Sequence, residues 1–372
     1  MVVTSARPEL AELRDVCQRF LGDRDPIALL DAGAPGRRAL WDELVAMGWA
    51  ATLIPEATGG MGWGWEEAGI VAEELGRSLA PVPFLSNALV AATGLRAITH
   101  PLVGAALGAM ARGEARLAVA GLPTQRGRDD DIDVGGGPVG ERLRGTCSFV
   151  LDAVDADRFV VVARRRGETV LALADPGPEV DVRRHELLDA SRAAASVSFE
   201  RAPATVVAGG AAADHAIAAM EAALAVGLAC DALGGAAHVH AETVDYARYR
   251  VQFDRPIGSF QAIKHRLADL YVLMAGTTAI VEAAVRQLAS ADAAAAPPHP
   301  ALGSLAHAYA ADAYVRIAGD AVLVHGAIGF TWEHDLHRYL KRAMLNRQLA
   351  GPTSAHRDRH LSIKLAAMGR DR

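Results

Sequence analysis

The chain has 372 residues, 51% hydrophobic and 22% charged, which is enough apolar material for two or three buried cores. Its net charge of -6, from 38 basic and 44 acidic side chains, is spread along the whole length without a basic block. That balance argues against nucleic acid or an anionic membrane as the main partner.

Cys17, Cys147 and Cys230 are isolated and odd in number. They speak against a disulfide framework or a clustered zinc site and for a reducing compartment, with each thiol a small core residue. Residues 1–21 mix Arg7, Glu9, Glu12, Arg14 and Asp15 with apolar positions, so they read as an amphipathic helix and not as a signal peptide. No apolar run reads as a membrane span. The closest, residues 216–233, is interrupted by Glu221 and Asp231. A cytoplasmic location is expected.

From Pro8 to about Gly113 apolar residues recur at helical spacing, as in Leu40, Leu44, Val45 and Met47, with breaks such as Gly59-Gly60-Met61-Gly62. These glycines are turn residues and not a phosphate cradle, because no strand precedes them. Around Arg116 the pattern changes to short apolar runs at 117–121, 148–151, 159–163, 169–174 and 196–199, which predict a small β domain. Asp129-Asp130-Asp131-Ile132-Asp133 lacks the alternating oxygen ligands of a calcium loop and reads as an exposed hairpin, with Gly135-Gly136-Gly137-Pro138 as its turn.

From about Ala211 the helical period returns, with Phe260, Ile263, Leu267, Leu270, Tyr271 and Met274 on one face. Residues 293–300, containing Pro297, Pro298 and Pro300, end one helix before another that runs from about Leu302 to His325. The fold class expected is multi-domain α+β: an N-terminal α-helical domain (1–113), a middle small β-barrel domain (114–208) and a C-terminal four-helix-bundle domain (209–372). Gly234 and Gly235 suit either a roomy pocket or a close helix crossing.

Two motifs concentrate the chemistry. Arg250-Val251-Gln252-Phe253-Asp254-Arg255-Pro256-Ile257-Gly258-Ser259-Phe260-Gln261-Ala262-Ile263-Lys264-His265 places an arginine, an amide and an aromatic at one helix end, where they can hold a phosphate and cover a flat ring system. Val324-His325-Gly326-Ala327-Ile328-Gly329-Phe330-Thr331-Trp332-Glu333 carries a glycine turn that allows close backbone approach.

Together with Pro55-Glu56-Ala57-Thr58-Gly59-Gly60, Glu73-Glu74-Leu75-Gly76-Arg77 and Ala80-Pro81-Val82-Pro83, these segments resemble the acyl-CoA dehydrogenase family over essentially the whole chain. The resemblance implies FAD as cofactor and an oligomer, a dimer or tetramer with itself or with a homologous subunit. It implies that Arg250, Gln252, Phe253, Ile257 and Gln261 reach a flavin held mainly by the neighbouring subunit. It also implies that Leu323 and the Gly326–Gly329 turn lie along the adenosine end, and that Phe149 and Leu151, in a strand entry resembling 142–150, face the flavin ring. Leu323 and Ala327 depart from the family, which commonly has glutamine and glycine there.

The resemblance also implies a carboxylate base that is missing. The family's usual glutamate position falls on Ala350, and no Asp or Glu occurs from Leu336 through Arg357. The alternative position matches about Leu224 or Ala225, in a stretch empty of acids from Ala222 to Cys230. Glu221 and Asp231 flank that gap and either could point to the same pocket as a base; the ordinary reading, Glu221 solvated and Asp231 paired or capping, outweighs that role. His325, His334 and His337 are further candidate bases. The backbone at Ala350 and Gly351 could still polarise a thioester carbonyl.

The function implied is FAD-dependent α,β-desaturation of an acyl-CoA thioester, with the chain as the base-lacking subunit of a heteromeric enzyme. A flavin-dependent monooxygenase of the same fold and a non-catalytic assembly subunit are the alternatives.

Overall fold

The computed structural model describes residues 7–31, 33–123, 131–137, 140–290 and 300–370. Asp129, Asp130, Pro138, Pro297 and Pro298 lie outside the described residues.

The N-terminal part is helical: α1 (Pro8–Gly22), α2 (Ala28–Asp31), α3 (Gly33–Ala46), α4 (Trp65–Arg77), a π-helical segment (Phe84–Ala91), α5 (Ala92–Leu95) and α6 (Pro101–Ala111). Proline at the first turn and Glu9 beside the positive end start α1, and Arg19 suits its last turn. Its Arg14 bridges to Glu73 and Glu74 on α4 at 2.8 and 2.5 Å, and Arg77 holds Glu74 from the other side at 2.8 Å. A carboxylate as buried as Glu74 is tolerated only when paired in this way. Trp41, Trp49 and Trp65 fill the space between these helices.

The middle part consists of β1 (Leu117–Ala120), β2 (Asp131–Gly137), β3 (Gly140–Leu151), β4 (Arg158–Arg165), β5 (Glu168–Ala174), β6 (Val180–Arg184) and β7 (Ala194–Gly209). Strands β4, β2, β3, β7 and β5 pair in that order, and β5 pairs back onto β4, closing a barrel; β1 and β6 flank it on β4 and β7. Phe159 and Phe199 meet edge to face inside, at 6.0 Å.

Two sequence readings change here. Gly135, Gly136 and Gly137 are strand residues of β2, paired with Arg142, Glu141 and Gly140, and not a turn. Glycine carries no strand signal, so pairing with β3 decides the outcome. Strand β6 is absent from the predicted runs because it is a short edge strand alternating Val180 and Val182 with Asp181 and Arg183.

The C-terminal part contains α7 (Gly210–Tyr249), α8 (Gln261–Ser290), α9 (Pro300–His325), α10 (Leu336–Gln348) and α11 (Thr353–Arg370). At 40 residues α7 extends about 60 Å. Gly235 lies under Tyr314 of α9, and Gly234 and Gly76 bring α7 and α4 into backbone contact: an added Cβ at Gly234 would sit 1.8 Å from the Glu73 carbonyl oxygen. These glycines serve helix crossings, which settles the choice left open by the sequence.

Three helical stretches, 210–249, 261–290 and 301–330, are long and apolar enough to cross a membrane by length and composition, where the sequence reading found none. Packing explains most of this: the most apolar window of α7 is 89% buried inside the protein. That of α8 is only 28% buried, leaving residues such as Val272 outward.

Candidate functional site

Helices α7 and α9 run parallel. Gly303 abuts Val226, Gly235 abuts Tyr314, and the Tyr246 hydroxyl donates to the His325 carbonyl at 3.3 Å, so the offset in sequence stays nearly constant along both helices. The two helices therefore end together. Residues 250–261 and 326–330, widely separated in sequence, emerge from one end of the bundle, where the Tyr246 and His325 rings stack at 4.0 Å.

Arg250 terminates α7 in an extended conformation and leads into a hairpin, β8 (Val251–Gln252) and β9 (Arg255–Pro256). The Ile257 amide closes the hairpin onto the Arg250 carbonyl at 2.8 Å. Its two-residue turn is Phe253-Asp254, with φ of 53° and 60°. A tight hairpin needs left-handed residues at both positions and normally recruits Asn-Gly. Placing phenylalanine and aspartate there stores strain, of the kind that collects at binding sites. The result is Phe253 held outward, 86% exposed, its edge on Phe260, over which the Arg255 guanidinium lies at 4.1 Å.

Arg250, Gln252 and Gln261 are exposed, and Ile257 is half-buried. No side-chain hydrogen bond or ion pair engages the Arg250 guanidinium among the described residues. Across from this hairpin Leu323 is 66% exposed, Gly326 takes φ 68°, and Gly329 packs so closely on Val322 that a Cβ would meet its carbonyl oxygen at 2.9 Å. A free guanidinium, an outward aromatic and a glycine-tightened turn together fit a dinucleotide: cation for pyrophosphate, ring face for a planar group, open backbone for close approach.

Phe149 and Leu151 are not brought to this end by any observed contact. Phe149 stacks on His185 at 5.8 Å, and Leu151 is buried in the core shared by helices and barrel.

The positions matching a base are closed. Ala350 is 2% exposed and stands in the left-handed region at φ 62°, followed by Gly351 at φ 91°. His356 Nε2 donates to the Ala350 carbonyl at 2.8 Å, and its ring meets His307 at 4.7 Å. His307 is buried; burial, and then His356, pull its pKa down to about 3, so this pair is neutral. Leu224 and Ala225 are buried on α7.

Asp231 is committed elsewhere. Its carboxylate takes Arg342 at 3.1 and 2.5 Å and Asn346 at 2.5 Å, with Arg192 at 3.3 Å. Burial alone would raise this carboxyl, but the two guanidiniums and Asn346 overcome it and hold it at about 2. Arg342 also donates to Ser191 Oγ at 2.6 Å, tying α7 and α10 to the loop entering β7. The paired reading of Asp231 is the one observed. No motif announces such a network, because its arginines come from remote segments. Glu221 faces Arg359 at 3.8 Å and is partly covered.

The structure orients the three histidines. His325 Nδ1 donates to the Ala321 carbonyl at 2.9 Å, and burial lowers its proton affinity. His334 reaches Glu242 at 3.6 Å, and His337 meets Trp332 edge-on at 4.6 Å. Glu242 is 18 residues along α7 from Leu224, about 27 Å at 1.5 Å per residue. The His334–Glu242 pair therefore cannot act as the proton acceptor at Leu224. Among the described residues no group of three or more His, Cys, Asp or Glu could hold a metal ion.

Known proteins match the chain at both of its helical ends. Family models of the acyl-CoA dehydrogenase N-terminal domain and C-terminal domain match residues 7–114 and 217–361. The chain is 34% identical over 312 residues to the acyl-CoA dehydrogenase IpdE2 of Mycolicibacterium smegmatis, covering 82% of this chain and 81% of that one. It is 36% identical over 330 residues to IpdE2 of Mycobacterium tuberculosis, covering 87% of each. Among solved structures, the ChsE4-ChsE5 complex from Mycobacterium tuberculosis superposes with TM-score 0.84 at 27% identity, over 99% of this chain and 98% of that one. A variant of the Tcur3481-Tcur3483 steroid ACAD does so with TM-score 0.85 at 25% identity, over 97% and 99%.

Proposed function

We propose, because the chain belongs to the acyl-CoA dehydrogenase family, that it works with FAD in the α,β-desaturation of an acyl-CoA thioester as the subunit that brings no proton acceptor. The observation that carries this reading is the contrast between its two ends. Arg250 stands free and exposed beside a glycine turn, whereas Ala350 and Leu224 are apolar and buried where a carboxylate base is needed.

FAD, when bound, accepts the hydride leaving the β-carbon. In this reading Arg250 neutralises the pyrophosphate, with Gln252, Phe253, Ile257 and Gln261 beside it and Leu323, Gly326 and Gly329 along the adenosine. Phe149 and Leu151 belong to the ring end. Removal of the weakly acidic α-proton needs a carboxylate within hydrogen-bond reach, its pKa raised by burial. A homologous subunit supplies it. That two structural relatives are complexes of two differently named chains supports a heteromer. The steroid named for one of them makes a steroid-derived acyl-CoA the first substrate class to assay.

The test is anaerobic flavin reduction by acyl-CoA, measured for the chain alone and with a homologous subunit that carries the glutamate. Negligible reduction alone and recovery with the partner are expected. Robust turnover by the isolated chain would overturn the base-lacking role, and a mixture whose protein retains no flavin once excess FAD is removed would overturn the cofactor. Rapid formation of a flavin peroxide on mixing reduced protein with oxygen would instead favour the monooxygenase.

A further inference from the structure

We propose that the cleft between α3 and the adjoining face of the β domain binds a small monocarboxylate with an apolar body, at a site sharing no residue with the groups around Arg250 and Gly326. The cavity measures about 320 Å³, at the lower end of the range found for small-molecule sites. Part of its wall is stiff and apolar: Pro35 and Trp41 from α3, Pro81 and Pro83 before the π-helical segment, and Leu117 at the start of β1.

Three arginines line it, and only one is left for a ligand. Arg38 pairs with Asp42 at 2.8 Å and Arg116 with Asp157 at 3.2 Å. Arg37 closes on no carboxylate among the described residues; it donates to the Ala190 carbonyl at 2.7 Å, which fixes its plane. Burial and the nearby Arg184 weaken its hold on its proton, against the distant attraction of Asp155, Asp189 and Asp152. A half-buried, oriented guanidinium with no carboxylate at ion-pair distance among the described residues selects an anion, and its planar fork matches a carboxylate.

The opposite wall limits the charge. Asp152 and Asp155 line the same space, and their repulsion falls twice as hard on a dianion such as phosphate as on a monocarboxylate. Asp152 is itself held in the left-handed region at φ 56°, its amide on the Ala193 carbonyl at 2.9 Å and its carboxyl on Ser86 Oγ at 2.5 Å. Such over-determined strain beside a cavity is a mark of ligand clamps.

The experiment titrates sodium benzoate into the full chain by calorimetry and ligand-observed NMR, with benzyl alcohol as the uncharged control. Saturable benzoate binding is expected, weakened roughly tenfold or more by Arg37→Met through loss of a charge-assisted hydrogen bond. Arg37→Gln keeps an N–H for Ala190 without the charge and guards against a folding defect; it should weaken benzoate equally and leave benzyl alcohol unaffected. No saturable binding to the wild-type chain, or equal benzoate affinity in wild type and either variant, would overturn the proposal.

Discussion

Arg342 grips both carboxylate oxygens of Asp231, at 3.1 and 2.5 Å, across 111 residues of sequence, and both side chains are almost wholly buried. This pair joins α7 to α10 and, through Ser191, to the barrel. Breaking such a pair from one side leaves an uncompensated buried charge. Asp231→Ala strands Arg342 and Arg192 together and should lower stability by roughly 3–5 kcal/mol, read from urea unfolding. A loss under about 1 kcal/mol would show that the network is dispensable.

The same aspartate sets an acid limit. Its folded pKa of about 2 lies below the ordinary 3.8, so its stabilisation is fully present above about pH 4 and is lost as pH falls through 2. Asp152 has the opposite sign. Burial raises it to about 6 against the Ser86 hydrogen bond and the nearby Arg192 and Arg342. A carboxyl that binds its proton more tightly when folded favours folding at low pH and loses that advantage as pH rises from about 4 to about 6. Asp152→Asn tolerates the left-handed backbone and removes the titration. It should raise stability at pH 7 by on the order of 2 kcal/mol, and the difference should vanish near pH 4. Melting curves of both proteins between pH 4 and 8 check the slope.

The hairpin tip offers a separation of strain from contact. Asp254 holds φ 60° with an exposed side chain, so Asp254→Gly should stabilise the protein by about 1 kcal/mol without altering flavin affinity. Phe253→Gly relieves the same kind of strain and removes the aromatic face. It should raise the melting temperature yet weaken FAD binding in the assembled enzyme. Equal flavin affinity for both variants would remove Phe253 from the cofactor site.

How much of this is legible in the sequence depends on the range of the interaction that decides it. Helical spacing around Leu270 and the apolar runs at Val160 and Leu171 report local burial, and those elements form as read. Gly135–Gly137 has no side-chain pattern, so only pairing with β3 defines it as strand. Arg250 and Gly326 are readable as types, but their proximity follows from α7 and α9 running parallel, which no local signal encodes. Arg192, Arg342 and Asn346 look like surface residues of polar segments; they become a buried cage only because Asp231 meets them in the folded chain.

Whether a base can be put back turns on the surroundings of Ala350. This residue keeps a left-handed backbone, with its carbonyl fixed by His356 and its methyl group in the core. Ala350→Gly should relieve about 1 kcal/mol of backbone strain and show that the conformation is imposed by the surroundings. Ala350→Glu asks more. Its carboxylate would enter an apolar environment where the adjoining His307 and His356 are neutral and so do not offset desolvation. The variant should therefore lose at least about 2 kcal/mol of stability and gain no desaturase activity without the partner. Near-native stability together with flavin reduction by an acyl-CoA would mean instead that the chain retains a usable substrate chamber and lacks only the acid.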